Sequence, residues 1–169
     1  MTNSNKPLPL PQEEIIRDYR MAYKSRQASI IGRRETLSGK AKFGIFGDGK
    51  EVVQLAIAHA FQKGDWRSGY YRDQTFMFAS GIMSLEEFFA QLYGDTDEKF
   101  NPQTAGRLMN NHFAGKTLDK DGNWLNLTKQ KNSSADISPT AGHMLRLLGL
   151  GLASKLFRDI KELKKFNNF

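Results

Sequence analysis

The sequence predicts a mainly α-helical chain with few short strands and one long loop. Three observations carry that expectation. Apolar residues recur at three- and four-residue spacing in two early segments, which places them on one helix face. Capping and stop residues bracket the helical segments, acidic residues or Ser at the starts and Gly at the ends. Neither an internal repeat nor a run of buried-type strands is present.

Leu8-Pro9-Leu10-Pro11 reads as an extended lead-in, so residues 1–12 precede a folded part spanning 13–169. Pro11 suits a first helical turn, and Glu13 and Glu14 complement the helix dipole. Ile15, Tyr19, Ala22 with Tyr23, and Ile30 make the apolar stripe of a first helix, which Ser38-Gly39 ends. A second helix is expected over 50–62, with Val52, Val53, Ala56, Ile57, Ala60 and Phe61 inward and Gly64 as its stop. Ser84-Leu85-Glu86-Glu87 is a capping-box pattern that opens a third helix ending at Gly94. Residues 95–138 show little periodicity, and Asp121-Gly122-Asn123 marks a turn within them. A gap of that length is uncommon in a compact domain and usually serves function. Pro139 opens a last long helix, first rich in small residues and then charged. Short extended pieces are expected near 43–46 and 65–71.

Composition removes several classes. The 169 residues fit one domain able to bury a core, and 39% hydrophobic content argues against disorder. Without cysteine there is no disulfide framework, no thiolate nucleophile and no Cys-ligated metal. Arg146 and Lys155 interrupt the longest apolar stretch, and the N-terminus lacks an apolar signal core, so a soluble cytoplasmic protein is expected. The net charge of +7 is concentrated at the ends: nine Lys/Arg face four Asp/Glu in 1–42, and five face two in 155–169. Such segments are either solvated helix faces or a surface for a phosphate-bearing or acidic partner. No nucleic-acid motif accompanies them, so neither nucleic acid nor a membrane is an expected partner.

Candidate chemistry sits in a few stretches. Arg72, in Tyr70-Tyr71-Arg72-Asp73, offers a planar fork of donors for phosphate or carboxylate, with two tyrosines beside it. The same residues also fit a structural Arg72–Asp73 corner with core tyrosines. Gly47-Asp48-Gly49 resembles a phosphate or metal loop but reads better as a turn before the second helix. His59 reads as structural. His112 lies in the aperiodic segment and is the best acid–base or substrate-contact candidate. His143 lies just inside the last helix, and no histidine pair has zinc-ligand spacing.

Taken in order, several blocks resemble a known family. They are Gly49-Lys50-Glu51, Asp65-Trp66, Tyr70-Tyr71-Arg72-Asp73, Gln91-Leu92-Tyr93-Gly94, Gly106 to Phe113, and Ser138-Pro139-Thr140-Ala141-Gly142. From about Tyr19 onward the chain is similar to the alpha-type region of thiamine-diphosphate-dependent 2-oxo acid dehydrogenases. These are the first, decarboxylating components of their complexes. The closest likeness is to single-chain forms with fused alpha and beta regions, which leans towards branched-chain substrates.

The resemblance implies a three-layer α/β thiamine-diphosphate-binding fold in the full family, of which this chain supplies mainly helices and cofactor-facing loops. It implies decarboxylation of a 2-oxo acid and reductive transfer of the acyl group to a lipoyl-bearing acyltransferase. The expected partners are a beta-type region or subunit, that acyltransferase and further copies in an oligomer. By position Arg72 would grip the diphosphate and Tyr71 support it. Ser138 and Thr140 would lie near the aminopyrimidine, and His112 near the active-site entrance. The family's magnesium signature and its activating glutamate are not found in these residues, so the sequence reads as an N-terminal fragment, inactive alone and exposing apolar surface. Gly142-His143 replaces the usual polar and Gln residues, which disfavours a monovalent-cation site there. The alternative reading is a non-catalytic basic helical module that binds a phosphate-bearing or acidic partner.

Overall fold

Helix α1 (Gln12–Leu37) is the long spine against which three shorter helices pack. The structure, a computed structural model, describes residues 10–163, so most of the lead-in and residues 164–169 lie outside it. After α1 come α2 (Glu51–Ala60), β1 (Trp66–Arg67), α3 (Gln74–Ser80) and α4 (Leu85–Tyr93). A 3₁₀ turn (Leu127–Lys129), β2 (Asn132–Ser133) and α5 (Gly142–Asp159) follow. The two strands pair in parallel, Trp66 opposite Asn132 and Arg67 opposite Ser133. A mostly helical chain with few short strands is thus what forms. Among the described residues no helix is long and apolar enough to cross a membrane.

The helix faces differ from the apolar-stripe expectation. In α1 the buried side carries Ser25, Ala28, Ser29, Gly32 and Glu35, while Ile15, Tyr19, Tyr23 and Ile30 are exposed. Small residues admit close neighbours: a Cβ on Gly32 would collide with the Phe46 ring. Polar ones are satisfied by α3, since Ser25 Oγ lies 2.7 Å from Thr75 Oγ1 and the Gln74 amide donates to the Ser25 carbonyl at 2.8 Å. In α2 the expected face is reversed, although Phe61, just past its end, packs on the core as expected. Glu51, Gln54, Leu55 and Ala58 point inward, and Val52, Val53 and Ile57 are exposed.

The reversal has a physical reason. Gln54 donates to the Arg72 carbonyl (2.9 Å) and accepts from the Phe76 amide (3.1 Å), so burying it loses no hydrogen bond. The Arg26 guanidinium donates to both Glu51 oxygens, at 2.7 and 3.0 Å, and holds that carboxyl below its usual range despite burial.

Helix α3 is absent from the sequence reading because it is short and almost wholly buried, leaving no amphipathic period to detect. Its Phe76, Met77 and Phe78 form the core with Phe46, Met83, Phe88, Leu92 and Phe113. Residues 43–46 are not a strand; Phe46 instead drops into this core. The α4 cap forms as expected: Ser84 Oγ accepts from the Glu87 amide at 3.1 Å, and Glu87 accepts from the Ser84 amide at 2.7 Å. The segment 95–138 is irregular yet well bonded. Asp119 accepts from the Asp121 and Asn123 amides, both at 2.9 Å, closing the expected turn. The last helix begins at Gly142 rather than Pro139 and buries only His143 of its side chains.

Candidate functional site

The foundation of the site is Arg67, which sequence reasoning missed. Parallel pairing of β1 with β2 carries its buried guanidinium to the residues after Ser133. It donates to both Asp136 oxygens (3.1 and 2.9 Å), to Asp73 Oδ2 (3.1 and 2.9 Å), to Ser133 Oγ (2.8 Å) and to the Tyr70 carbonyl (3.0 Å). The Phe113 ring lies beneath it at 5.5 Å. Asp136 also accepts from the Phe113 amide, and Asp73 from the Tyr70 amide, so one ion cluster fixes three chain segments. The expected Arg72–Asp73 corner is therefore an Arg67–Asp73 corner. A Cβ on Gly69 would strike the same guanidinium, which explains the glycine.

Freed of Asp73, Arg72 is exposed and has no carboxylate partner among the described residues. Its guanidinium lies 5.9 Å from the Tyr71 ring. The Tyr70 and Tyr71 hydroxyls are hydrogen-bonded to each other, with ring centroids 3.9 Å apart. That bond, then Thr140, Arg72 and Lys50, draws the Tyr70 hydroxyl below its ordinary range, while Tyr71 is pushed up by sharing with Tyr70.

His112 is held from below by α4. Gln91 donates to the His112 carbonyl at 2.5 Å and accepts from the Asn111 amide at 3.0 Å, with Asn111 in the left-handed region at φ 62°. The buried imidazole stacks on Tyr71, with centroids 5.6 Å apart. Nδ1 faces the Asn110 carbonyl at 3.2 Å, an acceptor, so Nδ1 carries the proton. Nε2 lies within hydrogen-bond distance of the Ser138 hydroxyl, at 2.9 Å.

At the head of α5, Ala141 adopts φ 66°, turning the chain between Thr140 and His143. His143 is buried edge-on to Tyr70, and neither ring nitrogen has a hydrogen-bond partner among the described residues. An open depression of about 500 Å³ runs past Ser68, Tyr70, Thr140, His143 and Met144.

The structure thus brings Tyr71, Arg72, His112, Ser138 and Thr140 together from three distant segments. The exposed guanidinium, the hydroxyls and the orphaned imidazole nitrogens suit a ligand carrying anionic and polar groups. Among the described residues no group of three or more His, Cys, Asp or Glu can hold a metal ion. Two other sequence candidates lie apart. Asp48, of the glycine turn, pairs with Arg33 at 2.7 Å. His59 sits between Glu14 (2.9 Å) and Asp18 (2.7 Å), tying α2 to α1 rather than lying against an apolar face.

Over 106 residues the chain is 27% identical to the pyruvate dehydrogenase E1 component subunit alpha of Acholeplasma laidlawii, covering 63% of this chain and 30% of that protein. The chain therefore spans under a third of that relative's length. Residues 19–137 match the family described as Dehydrogenase E1 component, a stretch that holds Arg67, Tyr71, Arg72, His112 and Asp136. On that match over most of its length, the chain belongs to the dehydrogenase E1 component family.

Proposed function

We propose that this chain is part of a thiamine-diphosphate-dependent 2-oxo acid dehydrogenase and contributes one wall of its cofactor site. One observation carries the reading: an unpaired Arg72 beside Tyr71, His112, Ser138 and Thr140. When bound, the cofactor supplies the electron sink for decarboxylation. Every other role belongs to the protein's side chains. Arg72 lays its guanidinium fork on the diphosphate, and the Tyr71 and Thr140 hydroxyls add donors beside it. With its Nδ1 protonated, a neutral His112 accepts the Ser138 O–H hydrogen bond at Nε2, which leaves the Ser138 lone pairs for an incoming donor. His112 is thus a positioning residue that acts through Ser138. The Arg67 cluster holds the strand and loop backbones in register while ligands exchange.

Within the whole protein we place these elements in a three-layer α/β thiamine-diphosphate-binding fold, cytoplasmic, with a beta-type region completing the site. Among the described residues no group of three or more His, Cys, Asp or Glu could hold magnesium, and we place its ligands in a part of the whole protein C-terminal to these residues. The acyl product passes to a lipoyl-bearing acyltransferase. The pyruvate specificity in the relative's name and the branched-chain leaning of the sequence are both compatible with the wall described.

Calorimetry and backbone NMR with thiamine diphosphate and magnesium test the proposal. The isolated chain should bind more weakly than micromolar, with shifts confined to residues around Tyr71, Arg72, His112 and Thr140, and Arg72→Ala should abolish them. Micromolar binding that survives Arg72→Ala overturns the assignment.

A further inference from the structure

We propose that a lysine-lined groove, separate from the depression beside Tyr70 and His143, binds an extended acidic peptide segment of a protein partner. The groove runs between the end of α3 and the loops at 102–103, 114–116 and 129–131, and has a volume of about 620 Å³. It shares no lining residue with the depression beside Tyr70 and His143. Lys63, Lys116, Lys129 and Lys131 rim it, brought together from three separate loop stretches.

None of the four has an ion-pair partner among the described residues. The acidic lining residue, Glu87, already accepts from the Ser84 amide in the α4 cap. Two wall carbonyls that would temper the positive field are also occupied. Gln103 donates to the Ile82 carbonyl and Gln130 to the Lys116 carbonyl, each at 2.8 Å. Four lysines against one carboxylate leave the groove net cationic, and Ile82, Pro102 and Ala114 add apolar lining.

The composition of the wall selects the occupant. No aromatic side chain lines it, so successive bases of a single strand would find no stacking platform. Lysines, without arginine, present dispersed point charges rather than the forks that grip phosphate bidentately. Dispersed ammonium groups above apolar surface fit several carboxylates spaced along an extended chain, with an apolar side chain between them. This surface is independent of the cofactor proposal and stands or falls separately.

The probe is a fluorescein-labelled, glutamate-rich peptide with a central leucine, titrated with the full chain and read by anisotropy. Raising sodium chloride from 50 to 250 mM should weaken binding about tenfold. The double variant Lys116→Glu/Lys129→Glu should also weaken it about tenfold, with circular dichroism reporting its fold. Lys24→Glu/Lys155→Glu, the same charge change on α1 and α5, should leave affinity within about twofold. On the unsubstituted chain, lysine acetylation should be blocked by the peptide at Lys63, Lys116, Lys129 and Lys131 but not at Lys24. Equal loss in both double variants, or uniform protection, overturns the proposal by showing attraction to net charge alone. Tighter binding of a labelled oligothymidylate that Lys116→Glu/Lys129→Glu abolishes would overturn it in favour of nucleic acid.

Discussion

Two arginines lie five residues apart, and their environments divide the work between them. Arg67 is buried against two carboxylates and a phenyl ring, whereas Arg72 is exposed, with the Tyr71 ring 5.9 Å away. Replacing Arg67 leaves Asp136 buried without its counter-charge, the situation in which loss of one partner is most damaging. Arg67→Met should therefore cost about 3–5 kcal/mol in urea unfolding, with Arg67→Lys between it and the parent because the ammonium keeps charge but loses the fork. A change below about 1 kcal/mol would remove Arg67 from its structural role. Local sequence could not distinguish the two arginines, since the deciding partner, Asp136, lies sixty-nine residues from Arg67. His143 presents the complementary problem, a buried imidazole whose nitrogens have no hydrogen-bond partner among the described residues.

At the scale of elements, hydrophobic periodicity located α1 and α2 but not the faces that they turn inward. The stripe rule assumes that the apolar face is the one the chain covers. In α2 the inward side is held by hydrogen bonds through Glu51 and Gln54, and Val52 is left 81% exposed. Val52→Lys should then alter stability by no more than about 0.5 kcal/mol, whereas Leu55→Ala should cost about 2–3 kcal/mol. Chemical denaturation of both variants decides the orientation, and the opposite ranking would restore the sequence expectation. Helix α4 was legible because its signals are local: the capping-box Ser84 and Glu87, and Gly94 at φ 71°. Helix α3 carried no such signal.

Across the whole molecule, apolar surface remains uncovered on α1, α2 and α5, including Tyr19, Val52, Met144, Leu145 and Leu148. On α5 the exposed residues Met144, Leu145 and Leu148 lie within little more than one turn, and an apolar cluster of that kind suits an interaction surface. The isolated chain should self-associate at tens of micromolar in sedimentation velocity. Leu145→Glu/Leu148→Glu should shift it towards monomer without lowering the thermal midpoint, because α5 buries only His143. A parent chain that stays monomeric at that concentration would show that the α5 face does not drive association. The charge distribution also changes meaning at this scale. The end segments hold the excess by count, but folding gathers four lysines of the nearly balanced middle into one groove.

What the sequence determined by itself was whatever short-range chemistry specifies. That covers the helical character of the chain, the α4 caps, the Asp119–Asn123 turn and the blocks that identify the family. The residues around Arg72 and His112 were legible for the same reason, because their motifs are contiguous. Tertiary structure alone decided which arginine is buried, which faces of α1 and α2 turn inward, and how Ser138 meets His112. Those outcomes depend on partners far along the chain. A buried hydrogen bond or ion pair takes its value from the group brought opposite it, and no local pattern encodes that group.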